Sequence, residues 1–386
     1  MNPYEERKQA INRHLNGEKV SKIVKSLKRS REWFYFWLNR YKASEEGDDW
    51  YLDASRSPRR KPSKISSDIE RGVIEARISL QEERYAQTGA IAIQYEMYRL
   101  GQEPPAIWTI NRILTRHGLN KPSRIKRKRS EKDYPMLFIH THQMDLVGPR
   151  YIKGDGRFYS VNILDTECHS CFVHPIRCKS TEEILRALVL FWSNHGMPDA
   201  LQMDNELAFR GSNRYPRSFG AIIRLALALN IAPVFIPIKE PWRNGMIEKF
   251  NDTFDKHFIR KWTFESFQHL CHEAVNFSSF HNAKHRYRAL EKKTPVETRL
   301  SLPPLVKYDQ SIDLTKKIPL VTGTVYFVRF IRSDLILKLH TEKFKVKEEL
   351  KYSYVVAEVN IDNQCMIVRR DNEIVQIFPY NTPFDW

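Results

Sequence analysis

The sequence has few cysteines and no long apolar run. Its five cysteines are an odd number in 386 residues, which is unsuited to a disulfide framework and typical of a reducing compartment. No apolar stretch approaches the about 18 uninterrupted residues of a membrane-spanning helix. The opening residues, Met1 to Lys8, lack the hydrophobic region of a signal peptide. We therefore expect a cytoplasmic protein without a membrane partner.

Acidic residues are also in deficit. The chain has 46 Asp and Glu against 63 Lys and Arg, a formal net charge of +17. A basic excess of this size indicates a polyanionic partner, and counterion release would make that binding steeply dependent on salt. A merely soluble basic protein is the alternative, but the clustering of charge at 56–64 and 121–132 disfavours it. The length predicts two or three domains, because single cores rarely exceed about 250 residues.

Three acidic residues occupy settings typical of a divalent-metal site. Asp145 and Asp204 each end or interrupt an apolar run that predicts a buried strand, and Glu248 opens a predicted helix after the Asn244-Gly245 turn. Carboxylates in the order strand, strand, helix can converge on divalent metal. Oxygen ligands of this kind are what magnesium-dependent phosphoryl transfer requires.

Taken together, these three motifs resemble those of the DDE transposases of bacterial insertion sequences, which share their catalytic core with retroviral integrases. The resemblance covers nearly all of the chain. It implies a ribonuclease-H-like core, catalytic and metal-binding roles for Asp145, Asp204 and Glu248, and a pair of Mg²⁺ (or Mn²⁺) ions. The implied activity is cleavage at the ends of a mobile element and transfer of a DNA 3′ end into target DNA. Implied partners are double-stranded DNA and further copies of the chain, in a bacterial, nucleoid-associated setting, with an accessory ATPase left open.

Two features depart from the pattern of the family. The usual spacing from the second Asp lands on Glu240, but Glu240 precedes Pro241 in a predicted loop, whereas Glu248 follows the Asn-Gly turn and precedes Asn251. The polar segment 210–217 accommodates the extra residues as a predicted surface loop. Glu206 stands where the family usually has Gly, and is either an outer carboxylate or a solvated loop residue.

Two helical units precede the predicted core. Residues 1–47 predict a helix-turn-helix domain of three short helices, with Trp33, Phe36 and Trp37 in its core. A second helix-turn-helix-like domain is predicted at 66–120, with a helix that buries positions 107, 110, 113 and 114.

Basic linkers at 48–65 and 121–134 are expected to contact DNA phosphates, with nuclear localisation as the alternative for the second. Lys249 and Lys256, after the catalytic Glu, are assigned to DNA by the resemblance. The predicted DNA-binding residues are Arg29, Ser30, Arg31, Arg40, Arg59, Arg60, Lys61, Thr109, Asn111, Arg112, Lys126, Arg127, Lys249 and Lys256.

Residues 135–304 alternate predicted strands with helices, which indicates an α/β catalytic core. From 305 to 386 the pattern changes to short alternating strands with polar turns, which predicts a small C-terminal β-barrel. In the family such barrels contact DNA or a partner subunit, and a passive packing module is the alternative. The predicted fold is therefore multidomain, with all-α N-terminal units, an α/β core and a β-barrel.

Several histidines and cysteines require a separate explanation. Cys168, His169, Cys171, His174 and Cys178 have a spacing that superficially suits zinc. They fall on two adjacent predicted strands, whose alternation sends neighbouring side chains to opposite faces. We expect free side chains there, and a structural role for His140 and His142.

Two other functions remain open at this stage. A non-catalytic helix-turn-helix regulator derived from a transposase is the main alternative to the transposase. A metal-dependent nuclease of similar core is the third reading.

Overall fold

The computed structural model describes residues 2–45, 49–55, 65–120, 134–214, 217–309, 312–314 and 316–383. The chain forms two compact units, residues 1–65 and 66–386. Five of the predicted DNA contacts lie outside the described residues: Arg59, Arg60, Lys61, Lys126 and Arg127. No described helix combines the length and apolar character needed to cross a bilayer.

The first unit is a bundle of three helices, as the sequence predicts. Phe34, Trp37 and Leu38 of the third helix face the bundle core. The prediction that Phe36 is core is wrong, because its side chain is 57% exposed. With Phe34, Trp37 and Leu38 on the buried stripe, position 36 falls on the opposite side of a helix of 3.6 residues per turn. The helices are α1 (Pro3–Leu15), α2 (Val20–Leu27) and α3 (Arg31–Lys42).

The second unit begins with three further helices that have their own apolar core. They are α4 (Ser67–Glu82), α5 (Ala90–Arg99) and α6 (Ile107–Arg116). Tyr85, between α4 and α5, anchors them to the rest of the unit, since its ring packs edge-on against Phe277 and its hydroxyl donates to Glu273.

The catalytic core predicted from the sequence is a mixed sheet with helices on both faces. Its first five strands are β1 (Thr141–Ile152), β2 (Gly156–Asp165), β3 (Cys171–Ile176), β4 (Ala200–Met203) and β5 (Ala232–Phe235). They lie in the order β3-β2-β1-β4-β5, with β2 antiparallel to both neighbours and β4 and β5 parallel to β1. This arrangement agrees with the ribonuclease-H-like core that the resemblance implies.

The helices of this part cover the sheet with two separate apolar cores. They are α7 (Thr181–Asn194), α8 (Leu207–Arg210), α9 (Ala221–Ala228), α10 (Gly245–Phe254), α11 (Phe267–Lys284) and α12 (Pro295–Ser301). Helices α7 and α9 share one core with Val161 and Ile163 of β2, whereas α10 and α11 share the other with Phe158 and Leu164. Strand β2 is thus buried on both faces, including its polar residues Ser160 and Asn162.

The prediction of a separate C-terminal β-barrel is wrong, because these strands continue the core sheet. Strand β6 pairs in parallel with β5, and the Phe235 and Phe327 rings of this pair stack with centroids 5.0 Å apart. Strands β9, β10 and β11 extend the sheet to nine strands, while β7 and β8 form a separate hairpin. The strands are β6 (Thr324–Phe330), β7 (Ile336–Leu339), β8 (Glu342–Lys345), β9 (Tyr354–Asn360), β10 (Cys365–Arg370) and β11 (Glu373–Pro379).

Two glycines close the base of the loop that the sequence predicts at 210–217. A Cβ on Gly211 would lie 2.8 Å from the backbone nitrogen of Gly220, and one on Gly220 would lie 2.9 Å from Cα of Gly211. The Gly220 N–H donates to the carbonyl of Arg210 at 3.2 Å. The two ends of the loop therefore meet at a point that only glycine fits.

Candidate active site

Two parallel strands place the two aspartates on one face of the sheet. In the β1–β4 pair, Gln143 lies opposite Gln202. Asp145 and Asp204 follow these glutamines by two residues, so strand alternation directs all four side chains to the same face. This is the face that α10 covers.

Side-chain amides fix the start of α10 to these strands. Gln143 accepts a hydrogen bond from the Ile247 N–H at 2.9 Å, and Gln202 donates to the side-chain oxygen of Asn244 at 3.1 Å. The adjoining first turn of α10 carries Glu248. The sequence analysis missed these amides, although a signal was present: the tripeptide Gln-Met-Asp occurs twice, at 143–145 and 202–204.

The two aspartates of the site are buried and lie within electrostatic range of other carboxylates. Burial raises the pKa of Asp145, and the negative charges of Glu206 and Glu248 raise it further. Burial likewise raises the pKa of Asp204, together with the charges of Asp145 and Glu206. A divalent cation would relieve this repulsion, and carboxylate oxygens are the ligands that Mg²⁺ prefers.

The three predicted ligands do not form one compact group in this structure. The carboxylate oxygens of Asp145, Asp204 and Glu248 do not all lie within 4.8 Å of one another. In their chemistry the residues present fit divalent metal, because carboxylate oxygens are the ligands that Mg²⁺ prefers.

The raised pKa of Asp204 leads to a stability prediction. Because the folded-state pKa lies above the unfolded value of about 3.9, ionised Asp204 destabilises the metal-free fold, and stability is lost as pH rises through this window. Asp204→Asn retains an acceptor for the Glu206 N–H that now bonds the carboxylate at 2.8 Å. We expect a higher Tm for the variant in EDTA at neutral pH and no difference in acid, measured by scanning calorimetry.

Adding Mn²⁺ supplies the second half of this test. It should raise the Tm of the wild type more than that of Asp204→Asn, because binding to the folded state stabilises by mass action. A variant that is less stable than the wild type at neutral pH would contradict the argument.

A buried chain of amides holds Asp145 in position. Ser160 donates to Asn162, Asn162 donates to Asn251 at 2.7 Å, and Asn251 donates to Oδ2 of Asp145 at 2.6 Å. Asn162 is fully buried and lies opposite Asp145 in the β1–β2 register. Asn251 lies three residues after Glu248 on α10. Its hydrogen bond to Asp145 therefore joins the carboxylate on β1 to the helix that carries Glu248.

The two other glutamates considered in the sequence have different settings. Glu206 lies near the aspartates and forms an ion pair with Lys179 at 2.5 Å. Glu240 instead accepts hydrogen bonds from the Tyr354 hydroxyl at 2.6 Å and from Arg243 at 3.4 Å. Its carboxylate thus belongs to a separate network that includes β9.

A buried arginine supports the loop that carries Asp204. Arg329 of β6 is 4% exposed and donates to the side-chain oxygen of Asn205 at 2.7 Å and to the Ile236 carbonyl at 2.9 Å. Burial lowers the pKa of Arg329 to about 9. Its hydrogen bonds go to the Asn205 side chain and to backbone carbonyls, which are neutral oxygens, so it serves to fix this loop rather than to neutralise a carboxylate.

A second polar cluster surrounds the buried carboxylate of Asp165, at the end of β2. Its Oδ2 lies 2.8 Å from Nε2 of His195 and 3.7 Å from Nε2 of both His140 and His142. Trp192 donates its indole N–H to Nδ1 of His142 at 3.3 Å. A neutral His142 therefore carries its proton on Nε2, the atom that faces Asp165, whereas a metal ligand needs a lone pair there.

The balance of effects on Asp165 favours the ionised form. Burial raises its pKa, but the hydrogen bond with His195 and the nearby imidazoles of His140 and His142 outweigh this and hold the pKa well below the usual range. Burial lowers the pKa of His142 to about 4. Of the five residues weighed for zinc, Cys168 alone joins a group of possible ligands among the described residues, with Asp165 and His195.

In the first unit, three of the four predicted DNA contacts also make internal contacts. Arg29 forms a two-point ion pair with Glu6 at 2.9 and 2.8 Å, and Arg40 donates to the Leu52 carbonyl at 2.9 Å. Ser30 caps α3 by accepting from the Trp33 N–H at 3.0 Å. Arg31 is exposed at the start of α3.

In the second unit, the assignment of Thr109 to the polar face of α6 is wrong. Its side chain is buried, with 8% exposure, because it lies beside Ile110 on the inner stripe. Asn111 and Arg112 are exposed as predicted. The sequence analysis missed Trp108, which is 63% exposed, with the Arg112 guanidinium 5.6 Å from its ring centroid.

The two lysines predicted to touch DNA after Glu248 share one carboxylate. Lys256 lies 2.5 Å and Lys249 3.8 Å from Oδ2 of Asp252. Both remain more than half exposed along their side chains. Asp252 reduces the positive charge that this side of α10 offers.

No protein-family model matches the chain. Its fold is similar to solved retroviral integrases, with low identity and low TM-scores. The HTLV-2 integrase catalytic core domain in complex with magnesium is 15% identical, with TM-score 0.31 over 42% of this chain and 98% of that one. A chain of the simian T-cell lymphotropic virus intasome in complex with PP2A regulatory subunit B56 gamma is 14% identical, with TM-score 0.35 over 76% of this chain and 93% of that one. The catalytic core domain of BIV integrase is 16% identical, with TM-score 0.31 over 42% and 94%.

Proposed function

We propose that the chain is a DNA transposase or integrase of the DDE type, a polynucleotidyl transferase that cuts the ends of a mobile element and joins them to target DNA. The observation that supports this proposal is that Asp145 and Asp204 lie on the sheet face covered by α10, where the charges of Glu206 and Glu248 raise the pKa of Asp145 and those of Asp145 and Glu206 raise the pKa of Asp204. Asp145, Asp204 and Glu248 are the residues that the sequence motifs single out independently.

Each residue of the site has a role in this proposal. Asp145, Asp204 and Glu248 would hold the divalent cations, which when bound supply the positive charge that activates a nucleophile and stabilises a leaving oxygen at phosphorus. Asn251 and Asn162 keep the Asp145 carboxylate turned toward this site. Gln143, Gln202 and Asn244 hold α10, and therefore Glu248, against the two strands.

The proposed DNA contacts are divided between the two units. Arg31 of α3 and Asn111 and Arg112 of α6 are exposed and would contact the element ends. Both ends must be processed together, so the active form is proposed to be a homo-oligomer on DNA. The setting that we propose is the bacterial nucleoid.

The test compares the products that the wild-type chain makes from linear DNA carrying the sequences that flank its coding region. We expect 3′ ends joined to target DNA in Mg²⁺ or Mn²⁺, and no product after EDTA removes the metal. The assay would follow joined and cut strands separately on denaturing gels. Restoring the metal should restore joining, which controls for damage by the chelator.

The two rival functions predict different outcomes. A metal-dependent nuclease would give cut ends that never join to a target. A non-catalytic regulator would bind the DNA and give neither product in any metal. Either result would overturn the proposed activity.

A further inference from the structure

The β7–β8 hairpin has two chemically different faces. Leu337 and Leu339 are buried in the main core, and Phe344 packs against it. The opposite face carries Lys338, Lys343 and Lys345, all exposed, which we term the lysine face. The hairpin thus rests on the body of the second unit and presents positive charge to solvent.

The register of the hairpin sets two of these charges against each other. Lys338 lies directly opposite Lys343 in the antiparallel pair, and Lys345 lies opposite Ile336. Like charges in directly opposite positions destabilise a sheet. No described carboxylate lies within 4.0 Å of the three amino groups, in contrast to Lys249 and Lys256 on α10. Folding alone gives no reason for this arrangement.

A buried side chain connects the lysine face to the candidate active site. Arg329 donates from Nε to the Lys338 carbonyl at 2.9 Å and from Nη2 to the Asn205 side chain at 2.7 Å. Asn205 directly follows Asp204. The guanidinium therefore spans the gap between the strand that bears Lys338 and the loop that bears a proposed metal ligand.

An ion pair secures the second strand of the hairpin to the same region. Glu342 of β8 pairs at 3.1 Å with Arg217, which lies within the loop closed by Gly211 and Gly220. The hairpin is consequently fixed at both strands, and its exposed face has a set position relative to Asp204.

We propose that the lysine face binds the phosphate backbone of double-stranded DNA next to the active site. Three unpaired ammonium groups on one side of a two-stranded ribbon match a row of phosphates, which contribute affinity without reading sequence. Phosphates would also remove the repulsion between Lys338 and Lys343. This inference rests on the proposed function and adds a contact surface to it.

The experiment replaces all three lysines, as Lys338→Gln/Lys343→Gln/Lys345→Gln, in the full chain. Binding to a fluorescent random-sequence duplex would be measured by anisotropy over a series of salt concentrations. We expect weaker binding at every salt concentration, and a slope of log affinity against log salt reduced by about 0.9 for each lysine that contacts a phosphate. The Tm should stay the same or rise, because a repulsive pair has been removed.

A variant with the same change of charge elsewhere is the control. Lys153→Gln/Lys307→Gln/Lys317→Gln alters three exposed lysines outside the hairpin and should keep most of the affinity and slope. An unchanged slope in the hairpin variant, or an equal loss of affinity in the control, would contradict the proposal that the lysine face binds DNA. A wild-type chain that binds no duplex would instead overturn the proposed function.

Discussion

Glu248→Gln should abolish strand transfer while leaving the chain folded and able to bind DNA. The amide keeps the size of the side chain but loses the negative charge that a divalent cation requires. Loss of an outer partner of a metal ligand already costs about 10- to 100-fold, so loss of a ligand should exceed about 100-fold. Joined product per unit time, measured in Mg²⁺ on the same DNA ends, gives the result.

Glu240→Gln is the matched control for this variant. It makes the same chemical change eight residues earlier, at the position that the usual family spacing would select. Because Glu240 accepts from Tyr354 and Arg243 in a separate network, we expect only a small loss of activity. Equal activity of Glu248→Gln and wild type would remove Glu248 from the mechanism, and a selective loss in Glu240→Gln would exchange their roles.

Asn251→Ala should reduce strand transfer by about 10- to 100-fold, the range found for partners that orient metal ligands. Its amide donates to Asp145 and accepts from the buried Asn162. Without it the carboxylate loses its fixed orientation, and Asn162 loses an acceptor. The turnover number in saturating metal should fall, and the affinity for Mn²⁺, measured by titration calorimetry without DNA, should weaken.

A positioning role must be separated from a general loss of stability. Asn276→Ala makes the same change on the exposed side of α11, where the amide bonds to His272 and Glu273 of the same helix, and should leave metal affinity unchanged. Unaltered Mn²⁺ affinity in Asn251→Ala would show that Asn251 does not orient Asp145.

The parts of the fold that local sequence determines were predictable. Asp145, Asp204 and Glu248 each stand in a short sequence motif. The strand before Asp204 ends, and the helix of Glu248 begins, within a few residues of the carboxylate. Strand alternation and a glycine turn act over such distances. The convergence of the three was implied by family resemblance, and the contacts among their neighbours needed the structure.

The parts of the fold that could not be predicted depend on contacts between residues that are distant in the sequence. Alternation in 324–330 predicts a strand, but nothing local specifies that Tyr326 pairs with Val234; the predicted barrel was therefore wrong. The predictions for Thr109 and Phe36 were wrong for a related reason. The polar side chain of Thr109 suggested an exposed position, and the aromatic ring of Phe36 suggested a buried one. Packing of the helices instead buries Thr109 and leaves Phe36 exposed.

The glycine closure at the base of the loop after α8 has a consequence for how such chains vary. Because Gly211 and Gly220 are in contact, the length of the loop between them can change without moving either glycine. A longer or shorter loop changes the number of residues between the second aspartate and the glutamate but displaces neither of them. In this architecture a residue count is thus a poor guide to the last acidic position, and the turn that launches its helix is a better one.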